Sequence, residues 1–272
     1  MNSNLLFSPY SVKGITLSNR FLMPAMQRGL GETGIPTVKM TEYFTRRTEG
    51  GVGLIIGEST AVNHPSATSQ DAATIIYGDA PIAWKHCVDS VKSAGGNMFI
   101  QLWHEGAVRK EPHAESPSLS PSGLVQKGQP NGRAATVKEL DEIKAAFVEG
   151  AVTAQAIGAS GIEIHCAHGY FLDLFLWPET NLRTDQYGGP SIAFRVRYPA
   201  EIVAAVRDAV GEDFIISFRF SQWKEVDFDA KVVSTPEQLK VMVNILEHAG
   251  VDIFHVSTRQ ILEPEWPEHS KM

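Results

Sequence analysis

The sequence predicts an α/β protein of the TIM-type (β/α)8 barrel class, with six strands and five helices in strict alternation. Three observations predict it: a recurring phrase, the character of the strands inside that phrase, and the long loop after the third strand. In the phrase an amphipathic stretch ends in glycine and an apolar, β-branched run follows at once. It reads Glu49-Gly50-Gly51-Val52-Gly53-Leu54-Ile55-Ile56, then Ala94-Gly95-Gly96-Asn97-Met98-Phe99-Ile100, and then Gly158-Ala159-Ser160-Gly161-Ile162-Glu163-Ile164. Val210-Gly211-Glu212-Asp213-Phe214-Ile215-Ile216 and Ala249-Gly250-Val251-Asp252-Ile253-Phe254 complete the series. Glycine just past a helix supplies a left-handed C-cap, and a short unbroken apolar run suits a strand buried on both faces.

The elements follow in order. Phe21-Leu22-Met23 is a first strand ahead of any helix. Thr136 with Glu139 has the capping-box pattern, opening a helix that runs to about Ala156. Ser234-Thr235-Pro236 offers a cap and an early-helix proline before a helix from Glu237 to Glu247. Strict alternation requires a parallel sheet with helical crossovers, either closed as a barrel or doubly wound. No Gly-x-Gly-x-x-Gly follows the first strand, which argues against the dinucleotide fold. The segment from Glu111 to Arg133, rich in Pro, Ser and Gly, leaves the third strand as a barrel's active-site loops do. No linker or low-complexity tract divides the 272 residues, so 1–272 reads as a single domain.

Composition excludes several classes of function. A net charge of −7 without any Lys/Arg run argues against a nucleic-acid partner. No apolar run approaches the ~18 residues of a membrane helix. The N-terminus lacks the basic n-region and cleavage site of a signal peptide. Cys87 and Cys166 are too few for a disulfide framework, which points to a reduced, cytoplasmic chain.

In a barrel the chemistry sits just past each strand's C-terminal end. Those positions hold Gln27 and Arg28, then Glu58, Ser59 and Thr60, then Gln101, Trp103 and His104. His165, His168 and Tyr170 follow strand four, Arg219 ends strand five and Ser257 ends strand six. Each alone has a plain structural alternative: Gln101 could cap backbone groups and Arg219 could be an ordinary salt-bridge partner. The pair His165 and His168 also invites a metal. Yet the first strand ends in Met23-Pro24-Ala25-Met26 rather than His-x-His, and there is no His-Glu-x-x-His. Two neutral imidazoles can instead donate hydrogen bonds to one carbonyl or nitro oxygen. Cys166 between them reads as packing, since no base is arranged to activate it.

These residues carry a family resemblance. Ile164-His165-Cys166-Ala167-His168-Gly169-Tyr170-Phe171-Leu172 through Thr184-Asp185-Gln186-Tyr187-Gly188-Gly189 resembles the signature of the old yellow enzymes. So do Gln101-Leu102-Trp103-His104-Glu105-Gly106 and the opening Phe7-Ser8-Pro9 with Asn19-Arg20. The resemblance implies an FMN-dependent oxidoreductase that takes hydride from NAD(P)H, NADH or NADPH, and reduces an activated C=C bond in a small molecule. It leaves a homo-oligomer open. It implies that Gln101 and Arg219 bind the flavin's pyrimidine edge, an amide pairing with O2/N3 and a cation stabilising the anionic reduced ring. By the same resemblance Ala25, Met26 and Gln27 run under the isoalloxazine ring and Ser59 lies near its carbonyl edge. His165 and His168 would grip the substrate's activating oxygen, and Tyr170 would protonate the α-carbon.

The chain also departs from the pattern. Pro24-Ala25-Met26-Gln27 replaces the usual Ala-Pro-Met-Thr, so a long amide stands where a small hydroxyl or thiol is usual. Glu105 occupies a position where a small residue is common and is expected at the site's rim. The family continues through two more βα units whose loops hold the FMN phosphate, whereas this chain passes from Ser257 to Met272. About six of eight units are thus expected, with strands one and six as open edges. The readings left standing are a flavin enzyme, a cofactor-free remnant or assembly partner, and a metal-dependent hydrolase using His165, His168 and Glu58.

Overall fold

The computed structural model describes residues 3–110 and 116–266. Six parallel strands form one curled sheet: β1 (Leu22–Met23), β2 (Leu54–Ala61), β3 (Asn97–Trp103), β4 (Gly161–His168), β5 (Ile215–Lys224) and β6 (Ile253–Ser257). They lie side by side in chain order, and the short strand Thr74–Ile75 adds to the end of β2. Five helices cross between them: α1 (Val38–Glu49), α2 (Ala80–Ser93), α3 (Val137–Ala156), α4 (Arg197–Val210) and α5 (Pro236–Ala249). This is the alternation the repeated phrase predicts, in the barrel form rather than the doubly wound one.

The central strands β2 to β5 are largely buried on both faces while the edge strands β1 and β6 are only partly covered, and the two faces have separate cores. Leu54, Ile56, Phe99 and Ile215 share an inner cluster with Leu17 and Ala25. Their neighbours Ile55, Met98, Ile100, Ile162, Ile164, Ile216 and Phe218 belong to a larger cluster with the helices, including Phe44, Trp84, Phe147 and Val203. Alternate residues of a strand point to opposite faces, so an apolar run fills both layers. At the far end of the inner layer sits a hairpin, Tyr10–Val12 with Ile15–Leu17. Its turn residues Lys13 and Gly14 both have positive φ (41° and 79°), the backbone a two-residue primed turn requires. Lys13 Nζ reaches the Glu212 carbonyl at 2.6 Å and Asp252 at 2.8 Å, tying this plug to the loops before β5 and β6. The three-residue strands are too short to leave a periodic signal in the sequence.

Other boundaries moved for identifiable reasons. The last helix begins at Pro236 and runs to Ala249, with Thr235 accepting from the Gln238 N–H and Gly250 closing it at φ 114°. An unanticipated helix, Phe171–Leu176, follows Tyr170 and has every residue buried. Of the expected long loop, residues 111–115 lie outside the described residues. The rest is partly ordered by short pairs: Leu124–Gln126 with Gln129–Pro130, and Leu119–Ser120 with Arg133–Ala134. Among the described residues β6 pairs only with β5 and β1 only with β2.

The capping box is present with both of its hydrogen bonds. The Glu139 N–H donates to Thr136 Oγ1 at 3.2 Å, and the Thr136 N–H donates to Glu139 Oε2 at 2.9 Å. Thr136→Ala should therefore lower the unfolding free energy by about 1 kcal/mol in urea denaturation. An unchanged midpoint would show that Arg133, which also pairs with Glu139, holds the helix start unaided.

Candidate functional site

Period-two alternation places Gln101 of β3, Glu163 and His165 of β4, Ser217 and Arg219 of β5, and His255 and Ser257 of β6 on the inner face, above the apolar layer. Register aligns them: Gln101 lies opposite Glu163, Glu163 opposite Ser217, and His165 and His255 opposite Arg219. A continuous hydrogen-bond chain results. Ser59 Oγ donates to Gln101 Oε1 at 2.7 Å, and Gln101 Nε2 donates to Glu163 Oε1 at 2.8 Å. The other Glu163 oxygen accepts from Ser217 Oγ at 2.9 Å and lies 2.7 Å from His255 Nδ1. Gln101, Glu163 and Ser217 have no exposed surface. Arg219 stands at the upper end of this chain. Its Nη1 donates to the Ala25 carbonyl at 3.1 Å, Nη2 lies 3.5 Å from Ser257 Oγ, and Nε is buried without a partner.

Beyond β4 the chain makes a strained turn. His168 has φ 65°, a left-handed conformation uncommon outside glycine, followed by Gly169 at φ 91°. Four contacts hold it. The His168 N–H donates to Ser221 Oγ at 2.9 Å, and its carbonyl accepts from the Glu225 N–H at 3.1 Å. The Gly169 N–H donates to Asp173 Oδ2 at 2.6 Å, and Asp173 in turn pairs with Lys224 at 2.8 Å, both side chains wholly buried. The turn gathers an aromatic wall. The ring of His165 is 5.3 Å from that of His168 and 5.1 Å from that of Tyr170, perpendicular or nearly so to each. Trp103 meets Tyr170 edge-on at 5.4 Å, and Trp223 lies against His168 at 4.5 Å.

Protonation follows from these surroundings. Burial holds His165 well below the usual histidine range; repulsion from a protonated His168 and from the Arg219 guanidinium would add to the shift. Burial likewise pulls His168 down to about 3, reinforced by Arg219 and Lys224. Both imidazoles are neutral near pH 7. His165 Nδ1 accepts from the Ala167 N–H at 3.2 Å, which leaves its Nε2 as the donor. His168 Nε2 exchanges a hydrogen bond with Ser257 Oγ at 2.8 Å. Burial, with Glu225 and Glu105 nearby, raises the Tyr170 phenol, which stays protonated.

The other sequence candidates fall around this mouth. Ala25 is buried, while Met26 and Gln27 are exposed. Glu58 accepts from the Arg28 N–H at 2.9 Å and keeps a second buried oxygen without a partner; burial raises its pKa. Thr60 bonds the Glu58 carbonyl and Thr74, and His104 bonds Ser66, so both serve the framework. Glu105 is buried rather than lining a rim. It clamps the loop before it through the Ser69 N–H at 3.0 Å and Gln70 Nε2 at 2.6 Å. Cys166 is wholly buried, and its thiol is pushed far up by that burial. Among the described residues no three His, Cys, Asp or Glu side chains gather as a metal would require, so Glu58 does not join the two histidines. Glu163, Asp173, Lys224, Trp223 and Glu225 join the site from outside the sequence's strand-end candidates. Glu163 had a signal, a charge two residues before His165 inside an apolar run; the others had none.

Residues 5–272 match the NADH:flavin oxidoreductase / NADH oxidase family. The chain is 36% identical over 259 residues to an NADH oxidase of Thermoanaerobacter brockii, covering 93% of this chain and 39% of that protein. It is 35% identical over 224 residues to 12-oxophytodienoate reductase 7 of Oryza sativa, covering 76% of this chain and 56% of that protein. Its fold matches an old yellow enzyme homologue from Zymomonas mobilis at a TM-score of 0.82 and 28% identity, over 92% of this chain and 72% of the other. The chain belongs to the NADH:flavin oxidoreductase / NADH oxidase family. It spans well under two thirds of the two sequence relatives' length.

The residues present fit a flavin. The Gln101 amide keeps one N–H and one lone pair beyond its two bonds, and the partnerless Arg219 Nε brings a cation and donors to the same mouth. A cavity of about 440 Å³ opens beside this mouth, not over Gln101. It is lined by Trp223, Ser257, Phe228 and Arg259 among others.

A pH dependence follows. A histidine whose folded pKa lies below its unfolded value destabilises the fold as pH falls, because the unfolded chain takes up the proton first. For His168 the window runs from the ordinary value of 6.5 down to about 3. His168→Asn tolerates the left-handed backbone. In urea unfolding across that window it should remove up to about 1.4 kcal/mol per pH unit of the stability loss. An identical slope in the variant would mean that His168 is charged in the fold.

Proposed function

We propose that this chain acts as an FMN-dependent oxidoreductase that uses NADH or NADPH to reduce activated C=C bonds of enones or similar electrophiles. The observation that carries the proposal is the convergence of two neutral imidazoles, one protonated phenol and one guanidinium on a single mouth. Family membership supports the cofactor and reductant. When bound, FMN supplies hydride transfer from the nicotinamide to the β-carbon of the alkene. Gln101 and Arg219 would hold its pyrimidine edge, with Ser59 beside the amide and Ala25, Met26 and Gln27 as the segment beneath the ring. The fixed cation of Arg219 favours negative charge at that edge. His165 Nε2–H, with His168 beside it, is placed to donate to the substrate's carbonyl or nitro oxygen. Neutral donors there stabilise enolate-like charge without giving up a proton. Tyr170 is the proton donor to the α-carbon, its O–H kept intact by burial. Two buried, unpaired cysteines support a cytoplasmic location.

The first test is the visible spectrum of purified protein: flavin bands would support this reading, and a colourless, metal-free protein would favour a cofactor-free role. Tyr170→Phe should slow reoxidation by an enone by ~10²–10⁴-fold while leaving flavin reduction by NAD(P)H nearly unchanged. Equal slowing of both half-reactions would remove Tyr170 from the acid role. His165→Ala or His168→Ala should weaken phenol ligands by roughly 0.5–1.5 kcal/mol, and by up to ~3 kcal/mol if a phenolate binds. Unchanged phenol affinity in both variants would rule the pair out as the oxygen grip.

A further inference from the structure

A phenol that gives its proton to carbon must be reprotonated before the next turnover, and the site as described has no second acid. The turn after β5 supplies one. Lys224 and Asp227 exchange backbone hydrogen bonds at 2.8 and 3.2 Å, leaving Glu225 and Val226 at the tip. The turn is anchored from below, because the Lys224 ammonium is buried against Asp173. It is anchored sideways by the Glu225 N–H on the His168 carbonyl at 3.1 Å. Glu225 is exposed to solvent, while its Oε1 lies 3.4 Å from the Tyr170 hydroxyl. Among the described residues no other carboxylate hydrogen-bonds that hydroxyl, and Tyr170 is otherwise walled by Trp103 and His165.

We infer that Glu225 is the relay that returns a solvent proton to Tyr170 after each alkene reduction. The inference rests on Tyr170 being the acid of the proposed reaction. The Tyr170 O–H bond breaks as the α-carbon–H bond forms. The phenolate then takes the proton of the Glu225 carboxylic acid, and the carboxylate regains one from water. One solvent proton is consumed for each alkene reduced. Partial desolvation where its carboxyl faces Tyr170 lifts the Glu225 pKa above the ordinary carboxylate value, partly opposed by the Tyr170 hydrogen bond, so its acid form persists to higher pH. The other charged groups facing the pair are Glu105, which bears on Tyr170, and Lys224, whose charge is turned inward onto Asp173. Glu225 acts through Tyr170 and is a positioning and relay residue; it touches no reacting carbon.

The test uses the purified flavin-containing protein, with Glu225→Gln, Glu225→Asp and Tyr170→Phe. Because Glu225 is exposed, these changes should leave folding intact, which circular dichroism checks. Without substrate, tyrosinate absorbance is titrated against Tyr170→Phe as reference. Glu225→Gln removes a negative neighbour and should shift Tyr170 ionisation to lower pH. With cyclohex-2-enone, Glu225→Gln should reoxidise at a rate between wild type and Tyr170→Phe and lose the wild-type fall in rate with rising pH. Glu225→Asp should restore part of both, with reduction by NADPH measured in parallel as internal reference. An unshifted tyrosinate titration, or a wild-type rate and pH profile in Glu225→Gln, overturns the relay alone if Tyr170→Phe is slow. A wild-type rate in Tyr170→Phe overturns the acid assignment, and the relay falls with it.

Discussion

A carboxylate with no exposed surface has to find all its hydrogen bonds inside the protein, and Glu163 finds three partners on three different strands. Gln101 on β3, Ser217 on β5 and His255 on β6 converge on its two oxygens. Removing any partner would leave a buried acceptor short, at a cost of ~1–3 kcal/mol or more for a charged group. The chain Ser59–Gln101–Glu163–His255 thus crosses the inside of the sheet from β2 to β6 and fixes how the strands lie against one another. It also fixes the Gln101 amide. Oε1 must face Ser59 and Nε2 must face Glu163, so the remaining N–H and lone pair are presented in one defined sense. An apolar layer of Leu54, Ile56, Phe99 and Ile215 beneath this chain keeps water from competing for those bonds.

The second constraint is the turn at His168. Its left-handed backbone costs of order 1–3 kcal/mol and persists only because its surroundings over-determine it. Asp173 and Lys224 hold it from below. A buried ion pair of this kind contributes little net stability, since desolvation offsets most of the attraction. Its effect is on geometry: Gly169, Asp173, Lys224 and Ser221 leave the imidazole of His168 and the phenol of Tyr170 few alternative placements. Strain and support therefore lie on opposite sides of one short segment, the strained side carrying the imidazole and phenol of the proposed site.

Electrostatics complete the site. Arg219 is partly desolvated, which lowers its pKa, while Glu163 on the neighbouring strand, opposite Ser217, opposes that shift. The same guanidinium helps keep both histidines neutral. One cation thus does two things: it biases the mouth toward negative charge and fixes the imidazoles as neutral donors.

The sequence by itself determined the alternation of strand and helix, the barrel over the doubly wound sheet, the helix start at Thr136, and the start of the last helix to within one residue. These rest on local physics: a glycine past a helix, a capping side chain three residues from its partner, an apolar run long enough for one strand. It also placed Gln101, His165, His168, Tyr170 and Arg219 at strand ends, because period-two alternation and chain direction are readable along a line. Only the tertiary structure decided what joins them. Glu163 meets His255 across 92 residues and Asp173 meets Lys224 across 51. Glu105 turns inward to a loop 35 residues earlier, and the hairpin at Lys13 plugs the barrel through Asp252. Such pairings depend on which strands become neighbours when the sheet curls. A charged residue's burial and its partner are set together by that closure, and no local pattern encodes either.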